Sequence, residues 1–394
     1  MTAANAIMQT YNRQALAFVR GEGCYLLDSE GRRYLDAVAG VAVNSLGHSH
    51  PGFISAIRDQ VGTLVHTSNL YDVPLQNTLG ALLCEKSGMQ QAFFCNSGAE
   101  SIEAAIKLAR RFGFNKGIKL PTILVMEGAF HGRTMGALTA THSSTYQEGF
   151  SPLLDGFIRV PYNDVAAVKA AIATNPNLVA ILVEPVQGES GIRIPAPTYL
   201  NELRHLCDTH NMLLMLDEVQ TGNGRTGNWF AFQHNSIVPD VLATAKGLGN
   251  GFPIGACLAA GKAAHIFQAG LHGSTFGGSP LACAAGLAVY KALQDENLCA
   301  NASSIGHYLL QGLQQALQGC TGIVEIRGLG LMIGVELDQP CMALRDKARA
   351  LGLLVNIAGG NVIRLVPPLI LNKQDADCII TVVNAVVREF YHGR

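Results

Sequence analysis

The chain has 394 residues, 48% of them hydrophobic and 14% charged, which is enough for a large core and more than one domain. Its formal net charge of −1, without a basic cluster interleaved with aromatic residues, argues against nucleic-acid binding. No apolar run is long enough to cross a bilayer, residues 1–20 lack a signal-peptide pattern, and the ten cysteines form no C-x-x-C pair, so we expect a protein of the reducing cytoplasm.

Residues 1–50 are predicted to form an N-terminal segment with short strands that joins a smaller domain. Residues 23–28 and 31–36 favour a hairpin that turns at residues 29–31. His48 and His50 have a spacing that would suit a metal on a strand, but no cysteine, aspartate or glutamate lies next to them. We therefore expect a structural or hydrogen-bonding role for both histidines and no metal site.

Residues 51–285 alternate between helical patterns and short apolar runs, and we expect them to form a large domain. Helices are predicted at residues 52–63, 74–86, 98–113, 164–174 and 197–210. The apolar runs are residues 91–95, 122–126, 179–183, 213–216, 241–244 and 254–260. Such runs are typical of a mostly parallel sheet covered on both faces, where ligands bind at the carboxyl ends of the strands.

In residues 286–394 the regular alternation of helices and apolar runs stops, and these residues are predicted to form a smaller α+β domain. Helices are expected at residues 297–317, 340–351 and 374–391. Residues 324–337 alternate in hydrophobicity, which favours strand structure.

A helix start after the run 91–95 could bind a phosphate. Ser97 and Glu100 form a capping-box pattern, and the small residues Gly98 and Ala99 leave the first backbone N–H groups of the helix accessible. An ordinary capped helix is the alternative.

After the run 122–126, Phe130 could stack on a flat ring and Arg133 could hold a carboxylate, although core packing and a surface cation would also explain them.

Charged side chains end two further runs. Asp217 directly follows residues 213–216, and such an acid is costly to bury without a positively charged partner. Residues 222–227 match G-x-G-x-x-G, but they do not open a helix directly after a strand, which disfavours a dinucleotide site. Lys246 ends a run of apolar and small residues, where desolvation would lower its pKa and provide a neutral amine; a lysine that extends to the surface is the alternative.

These groups together suit pyridoxal phosphate. Its aldehyde needs a lysine, its pyridine nitrogen an acid, its phosphate backbone donors, and its ring a flat neighbour. The chain also resembles the class III aminotransferases of pyridoxal-phosphate fold type I from about Gly21 to Tyr391. The motifs that carry the resemblance are residues 96–100, 130–133, 183–189, 216–222, 245–246 and 274–278.

The resemblance implies an α/β fold in which a large domain with a mostly parallel, mixed seven-stranded sheet joins a smaller α+β domain. It also implies a homodimer with shared active sites. Lys246 would be the Schiff-base lysine and the proton shuttle, and Asp217 would bind the pyridinium nitrogen. The other expected cofactor contacts are Ser97, Gly98 and Ala99 on the phosphate, Phe130 and Val219 on the ring faces, Gln220 on the ring hydroxyl with Glu218 near it, and Thr275 on the phosphate of the neighbouring subunit.

Within the family the chain is most similar to acetylornithine aminotransferases, which implies transfer of an ω-amino group to 2-oxoglutarate in arginine biosynthesis. Arg133 and Arg364 would hold carboxylates, with Ser274 near the substrate. Glu189 would pair with Arg364 while the ω-amine reacts and release it when glutamate or 2-oxoglutarate binds. Val41 stands where ornithine aminotransferases have a tyrosine, and an apolar residue there suits an acylated amine.

Other functions stay open at this point. The amine donor could instead be succinylornithine, succinyl-diaminopimelate, acetyl-lysine, ornithine or 4-aminobutyrate. A glutamate-1-semialdehyde aminomutase, which is an isomerase, is less favoured because two carboxylate-binding arginines and a glutamate switch suit a two-substrate cycle. A non-enzymatic binding protein on the same scaffold would tolerate loss of Lys246.

Overall fold

The computed structural model describes residues 6–392, in which three β-sheets are flanked by helices. The first sheet begins with β1 (Phe18–Glu22), β2 (Tyr25–Asp28) and β3 (Arg33–Asp36), and β2 and β3 form the predicted hairpin. Its fourth strand, β13 (Leu353–Leu354), pairs in parallel with β3. The N-terminal segment is therefore bound to the C-terminal part of the chain.

A seven-stranded sheet forms the centre of the molecule. Its strands are β4 (Gln91–Cys95), β5 (Thr122–Met126), β6 (Phe157–Val160), β7 (Leu178–Val183), β8 (Leu213–Asp217), β9 (Val241–Thr244) and β10 (Gly255–Ala259). They lie in the order β4-β10-β9-β8-β7-β5-β6, and β10 alone among the seven runs antiparallel to the others. The predicted mostly parallel seven-stranded sheet is confirmed.

The central strands are buried on both faces, as their uninterrupted apolar runs predict. Every residue of β5, β7, β8, β9 and β10 is buried. Side chains alternate between the two faces of a strand. Accordingly, Leu214 and Leu216 of β8 belong to one hydrophobic cluster, and Leu213 and Met215 belong to a second cluster on the opposite face.

Helices cover this sheet and surround the smaller sheets. They are α1 (Ala39–Ala42), α2 (Pro51–Thr63), α3 (Pro74–Ser87), α4 (Gly98–Asn115), α5 (Met135–Ala140), α6 (Ser144–Gln147), α7 (Val165–Thr174), α8 (Tyr199–Thr209), α9 (Pro280–Asp295), α10 (Leu298–Ala316), α11 (Ala343–Ala350) and α12 (Lys373–His392). Each predicted helix is present. The sequence did not predict α9, which runs through residue 285, so the domain boundary placed there stays a prediction. All residues of α1 have positive φ, so α1 is one left-handed turn.

A third sheet brings the C-terminal part of the chain to the edge of the central sheet. Its strands are β11 (Ile323–Gly328), β12 (Ile333–Leu337), β14 (Asn356–Ala358) and β15 (Val362–Leu365), in the order β11-β12-β15-β14. The alternating segment 324–337 is therefore an antiparallel hairpin of β11 and β12. Arg364 lies in β15.

The two N-terminal histidines have the hydrogen-bonding role that was predicted. His48 Nε2 lies 2.9 Å from Asp36 Oδ2, and His50 Nε2 lies 2.8 Å from Glu296 Oε1. Within residues 6–392 no three His, Cys, Asp or Glu side chains are grouped so as to hold a metal ion. No helix in the same range combines the length and the apolar character that a membrane crossing requires.

Candidate active site

The carboxyl ends of the parallel strands enclose a cavity of about 390 Å³. This is the edge of an open α/β sheet where ligands are expected to bind. The predicted site residues that line the cavity are Ser97, Gly98, Ala99, Phe130, Arg133, Glu189, Asp217, Val219, Gln220 and Lys246. Arg364 reaches the same place from β15 through its contact with Glu189.

Lys246 begins a short 3₁₀ turn, residues 246–248, directly after β9 and Ala245. Its φ of 43° lies in the left-handed region, which is uncommon for a residue other than glycine and is characteristic of functional sites. Burial lowers the pKa of Lys246, although the carboxylates of Glu189 and Asp217 act in the opposite direction. No hydrogen bond or ion pair of its Nζ occurs within residues 6–392. The side chain is therefore a desolvated amine directed at the cavity, as a nucleophile requires.

Asp217 is the last residue of β8 and is buried. Its Oδ1 accepts the Val219 N–H at 3.0 Å, and its Oδ2 lies 2.7 Å from His131 Nδ1. Because a carboxylate can only accept, the imidazole donates this hydrogen bond. Sequence reasoning missed His131, although it lies inside the motif 130–133; the signal was a polar residue between Phe130 and Gly132 at a strand end. His131 fixes the orientation of Asp217 within the cavity.

The start of α4, where a phosphate-binding site is predicted, forms one half of the predicted capping box. Ser97 Oγ accepts the Glu100 N–H at 3.2 Å, while the Glu100 carboxylate accepts the Asn96 N–H rather than the N–H of Ser97. A Cβ at Gly98 would lie 2.7 Å from Val219 Cγ1. Only glycine therefore lets the helix start approach Val219 this closely, and the free N–H groups of an 18-residue helix favour an anion.

Arg133 lies at the outer end of the cavity and is exposed. Its guanidinium carbon is 3.6 Å from the ring centroid of Tyr146, and the Tyr146 ring meets Phe130 edge-on at 6.1 Å. A cation on an aromatic face is held in place while its N–H groups stay available for a carboxylate. Tyr146 was not identified from the sequence.

Glu189 and Arg364 form an ion pair at 2.7 Å beside Lys246. The Arg364 side chain is 2% exposed and the Glu189 side chain 32% exposed, so the glutamate is on the solvent side of the pair. Asn356 Oδ1 accepts from Arg364 Nε at 3.1 Å and from Nη2 at 2.8 Å. Burial raises the pKa of Glu189, but the charge and hydrogen bond of Arg364 outweigh this effect and keep that pKa below its ordinary value. Both members of the pair are therefore charged.

Glu218 is not at the cavity, which corrects the expectation that it contacts the cofactor. Its carboxylate is fully buried and accepts hydrogen bonds from Thr221 Oγ1 at 2.6 Å and from the N–H groups of Ala231 and Phe232 at 2.9 Å each. Burial raises the pKa of Glu218 to about 7, while these hydrogen bonds act to lower it. Glu218 organises the loop that follows β8.

Three other predicted residues are also outside the cavity of the single chain. Thr275 is exposed and lines a neighbouring hollow, as does Ser274, whose Oγ accepts from Asn96 Nδ2 at 3.3 Å. Val41 does not line the cavity, whereas Val43 does. Val41 lies in the left-handed turn α1, and Val43 directly follows this turn.

The cavity fits pyridoxal phosphate, the cofactor that the resemblance implies. Its base holds an amine that has no hydrogen-bond or ion-pair partner among residues 6–392 (Lys246) and an ionisable acid held by His131 (Asp217). Phe130 and Val219 could flank a flat ring, and the start of α4 offers donors to a phosphate. Each of these groups is of the type that one part of the cofactor needs.

Comparison with known proteins agrees with this chemistry. The model of the family "Aminotransferase class-III" matches residues 7–387. The chain is 51% identical to an acetylornithine aminotransferase of Nitrosomonas europaea, over 98% of this chain and 99% of that protein. It is 46% identical to an acetylornithine aminotransferase of Methanothermobacter thermautotrophicus, over 97% of this chain and 96% of that protein.

Solved structures give the same result. The fold matches an ornithine aminotransferase from Toxoplasma gondii, with PLP at partial occupancy in its active site, at a TM-score of 0.94 and 32% identity over 98% of this chain and 93% of that chain. It also matches an N-acetylornithine aminotransferase from Stenotrophomonas maltophilia at a TM-score of 0.85 and 34% identity over 98% of each chain. The predicted enzyme class and its cofactor, pyridoxal phosphate, are confirmed: this chain belongs to the class III aminotransferases.

Proposed function

We propose that the protein is an acetylornithine:2-oxoglutarate aminotransferase that serves arginine biosynthesis. The enzyme would move the δ-amino group of acetylornithine to 2-oxoglutarate and form an aldehyde and glutamate in a ping-pong cycle. The observation that carries this proposal is the Glu189–Arg364 ion pair at 2.7 Å beside Lys246, with Arg133 at the outer end of the cavity.

The charges of the site distinguish the two substrates. While Glu189 neutralises Arg364, that guanidinium does not draw an α-carboxylate toward Lys246, so an ω-amine can approach and Arg133 can hold the distant carboxylate. When glutamate or 2-oxoglutarate binds, its α-carboxylate replaces Glu189 on Arg364. The partial exposure of Glu189 gives its side chain room to move away.

The reaction divides between the cofactor and this chain's own residues. When bound, pyridoxal phosphate supplies a carbonyl for the amine and an electron sink for the carbon next to it. Lys246 Nζ would accept the proton that this carbon loses and hold it for return within the cavity. Asp217 keeps the ring nitrogen protonated, and His131 holds Asp217 in place.

Two observations favour acetylornithine as the amine donor. Relatives that are 45–51% identical have the name acetylornithine aminotransferase, and the apolar Val43 at the cavity suits an acylated α-amine. Ornithine transamination is the second candidate, because an ornithine aminotransferase has a closely similar fold. Succinylornithine and succinyl-diaminopimelate differ from acetylornithine in the acyl group or carbon chain, and comparison of half-reaction rates separates all of these donors.

Glu189→Gln is expected to slow the half-reaction with acetylornithine by about 10- to 100-fold, equivalent to roughly 1.4–2.7 kcal/mol in the barrier. The reason is that Arg364 loses its counter-charge and draws a carboxylate toward Lys246. The half-reaction with glutamate should change much less. Stopped-flow absorbance of the holoenzyme measures both rates, and Glu202→Gln, an exposed glutamate of α8, is the control. Equal loss in both half-reactions would contradict the switch.

The same proposal includes a cytoplasmic homodimer with shared active sites. Large apolar side chains are exposed in residues 64–71 and at Phe276, including Leu70 (87%) and Tyr71 (71%). Asn69 Nδ2 joins the two stretches by donating to Ser274 O at 3.0 Å and Gly277 O at 2.9 Å. Exposed apolar surface of this kind is typical of an interface. An interface here would place Thr275 of one subunit near the cofactor phosphate of its partner.

Subunit mixing tests this arrangement. Lys246→Ala and Thr275→Ala homodimers should each have low activity. When the two variants are co-expressed, mixed dimers contain one site with both Lys246 and a Thr275 from the partner subunit, so activity should return. Activity that stays at the level of the two homodimers would argue against shared sites. Light scattering on the mixture confirms that dimers are present.

A further inference from the structure

Glu189 lies in the loop of residues 187–193, and hydrogen bonds hold the backbone of this loop. At its ends, the Gln187 N–H donates to Arg193 O at 3.1 Å and the Arg193 N–H donates to Gln187 O at 3.0 Å. Between them, Arg327 of β11 donates from Nε to Ile192 O at 2.6 Å and from Nη2 to Gly191 O. One guanidinium thus holds two successive peptide carbonyls of the loop.

A cluster of charged side chains with Arg327 and Glu336 at its buried centre fixes Arg327 itself. Arg327 Nη1 pairs with Glu336 of β12, and their side chains are 7% and 10% exposed. Glu336 also accepts hydrogen bonds from Nη1 and Nη2 of Arg193 at 3.0 Å each. Arg327 Nη1 forms a further ion pair with Glu325 at 2.6 Å. Burial raises the pKa of Glu336, but the hydrogen bonds and charges of Arg327 and Arg193 outweigh it and keep that pKa below its ordinary value. Glu336 therefore stays ionised and binds both arginines.

The loop also packs tightly against the sheet that carries Arg364. Gly191 has a φ of 95°, and a Cβ there would lie 2.6 Å from Val362 Cγ2 in β15. A Cβ at Gly334 of β12 would lie 3.3 Å from Gly191 O. The glycines at positions 191 and 334 therefore let the loop backbone lie directly against β12 and β15. The Glu189 side chain is on the open side and is 32% exposed.

We propose that Arg327 is a positioning residue for the Glu189–Arg364 pair, because it fixes the loop backbone so that only the Glu189 side chain moves. This inference rests on the proposed two-substrate function. A loop that is not held in place would let Glu189 leave Arg364, and the freed Arg364 would capture an α-carboxylate. The α-amine of a diamino acid would then reach the cofactor in place of the ω-amine. Arg327 thereby sets which amine reacts.

Ornithine is the probe for this inference, because both of its amines are free. Reaction at the δ-amine gives an aldehyde, and reaction at the α-amine gives a 2-oxo acid; NMR of the products formed by the holoenzyme over a long incubation measures their ratio. Arg327→Met should lower the δ-to-α ratio by about tenfold, since misplacement of a reacting group by about 1 Å can cost up to about 100-fold.

Two further variants separate positioning from general stability. Arg327→Lys keeps a positive charge beside Glu336, which protects the fold, but its single ammonium cannot reproduce the fork that holds both carbonyls, so the ratio should still fall. Glu325→Gln removes an acid that is 55% exposed and leaves both carbonyl contacts intact, so the ratio should stay within about twofold of the original enzyme. In a Glu189→Gln background, Arg327→Lys should have little additional effect, because both changes act on one pair.

The possible results distinguish this inference from the proposed function. A folded Arg327→Lys enzyme with an unchanged product ratio would overturn the positioning role, and so would effects of Glu189→Gln and Arg327→Lys that simply add. In either case a Glu189→Gln enzyme that shifts the ratio would leave the proposed switch standing. If the original enzyme did not act on acetylornithine, the proposed function would fail first, and the inference with it.

Discussion

Lys246→Ala should abolish turnover, with an expected loss of about 10⁴-fold or more, because in the proposed mechanism Lys246 supplies both the nucleophilic amine and the group that moves the proton. The fold should survive, since alanine removes a desolvated amine that makes no hydrogen bond within the described chain. The proposed phosphate site at the start of α4 is unchanged, so the variant should still bind pyridoxal phosphate without a covalent bond. Single-turnover kinetics with acetylornithine and circular dichroism measure these outcomes.

Lys262→Ala is the matched control for this variant. Lys262 is partly exposed and lies near Asp208 and Asp240. Asp240 directly precedes β9, so this region is at the amino ends of the parallel strands and the cavity is at their carboxyl ends. Its replacement should leave turnover unchanged. If Lys246→Ala retained near-normal turnover, the amine would have no catalytic role, and a binding protein on an aminotransferase scaffold would become the better interpretation.

Asp217→Asn is expected to lower kcat by about 100- to 1000-fold, as the loss of one preorganised electrostatic contact can. The neutral amide cannot keep the ring nitrogen of the cofactor protonated, so the electron sink weakens. Glu184 is close but cannot substitute, because its carboxylate is already bonded to the N–H groups of Phe130 and Gly188. Burial also raises the pKa of Glu184 to about 7.

The pH dependence of the visible absorbance of bound cofactor gives an independent measurement of this change. This pH dependence should shift in Asp217→Asn. It should remain unchanged in the control Asp208→Asn, which alters an exposed aspartate paired with Arg204. His131→Asn should give a smaller shift in the same direction, because Asp217 is still present and loses only one hydrogen bond. A normal rate in Asp217→Asn would refute the assigned role of this residue.

The central sheet could be predicted because its strands are buried on both faces and therefore appear as continuous apolar runs. The strand β6 was missed because it is half-buried and contains Arg159, so it lacks such a run. The helix α9 was missed because it is rich in small residues and its buried side chains do not form a narrow stripe. The apolar runs also predict where the strands end, and most of the predicted site residues lie at these strand ends.

Pairings across long sequence distances could not be predicted in the same way. His131 meets Asp217 across 86 positions, and the Arg327 contacts to Gly191 and Ile192 span 136 and 135 positions. No local periodicity encodes such contacts. Residues that are adjacent in a sequence motif can also lie in different environments. Glu218 follows Asp217 at a strand end, where successive side chains point in opposite directions, so only Asp217 faces the cavity. Val41 lies in the left-handed turn α1, which the sequence did not predict, and Val43 rather than Val41 lines the cavity.

The most direct test of the central claim is a single-turnover titration of the holoenzyme. Acetylornithine, succinylornithine, ornithine and 4-aminobutyrate are mixed with it in turn, and the loss of the visible absorbance of bound cofactor is followed. We predict fast loss with an acylated ornithine and slow loss with ornithine, followed by recovery when 2-oxoglutarate is added. Faster loss with ornithine or 4-aminobutyrate, or no recovery with 2-oxoglutarate, would contradict the proposed function.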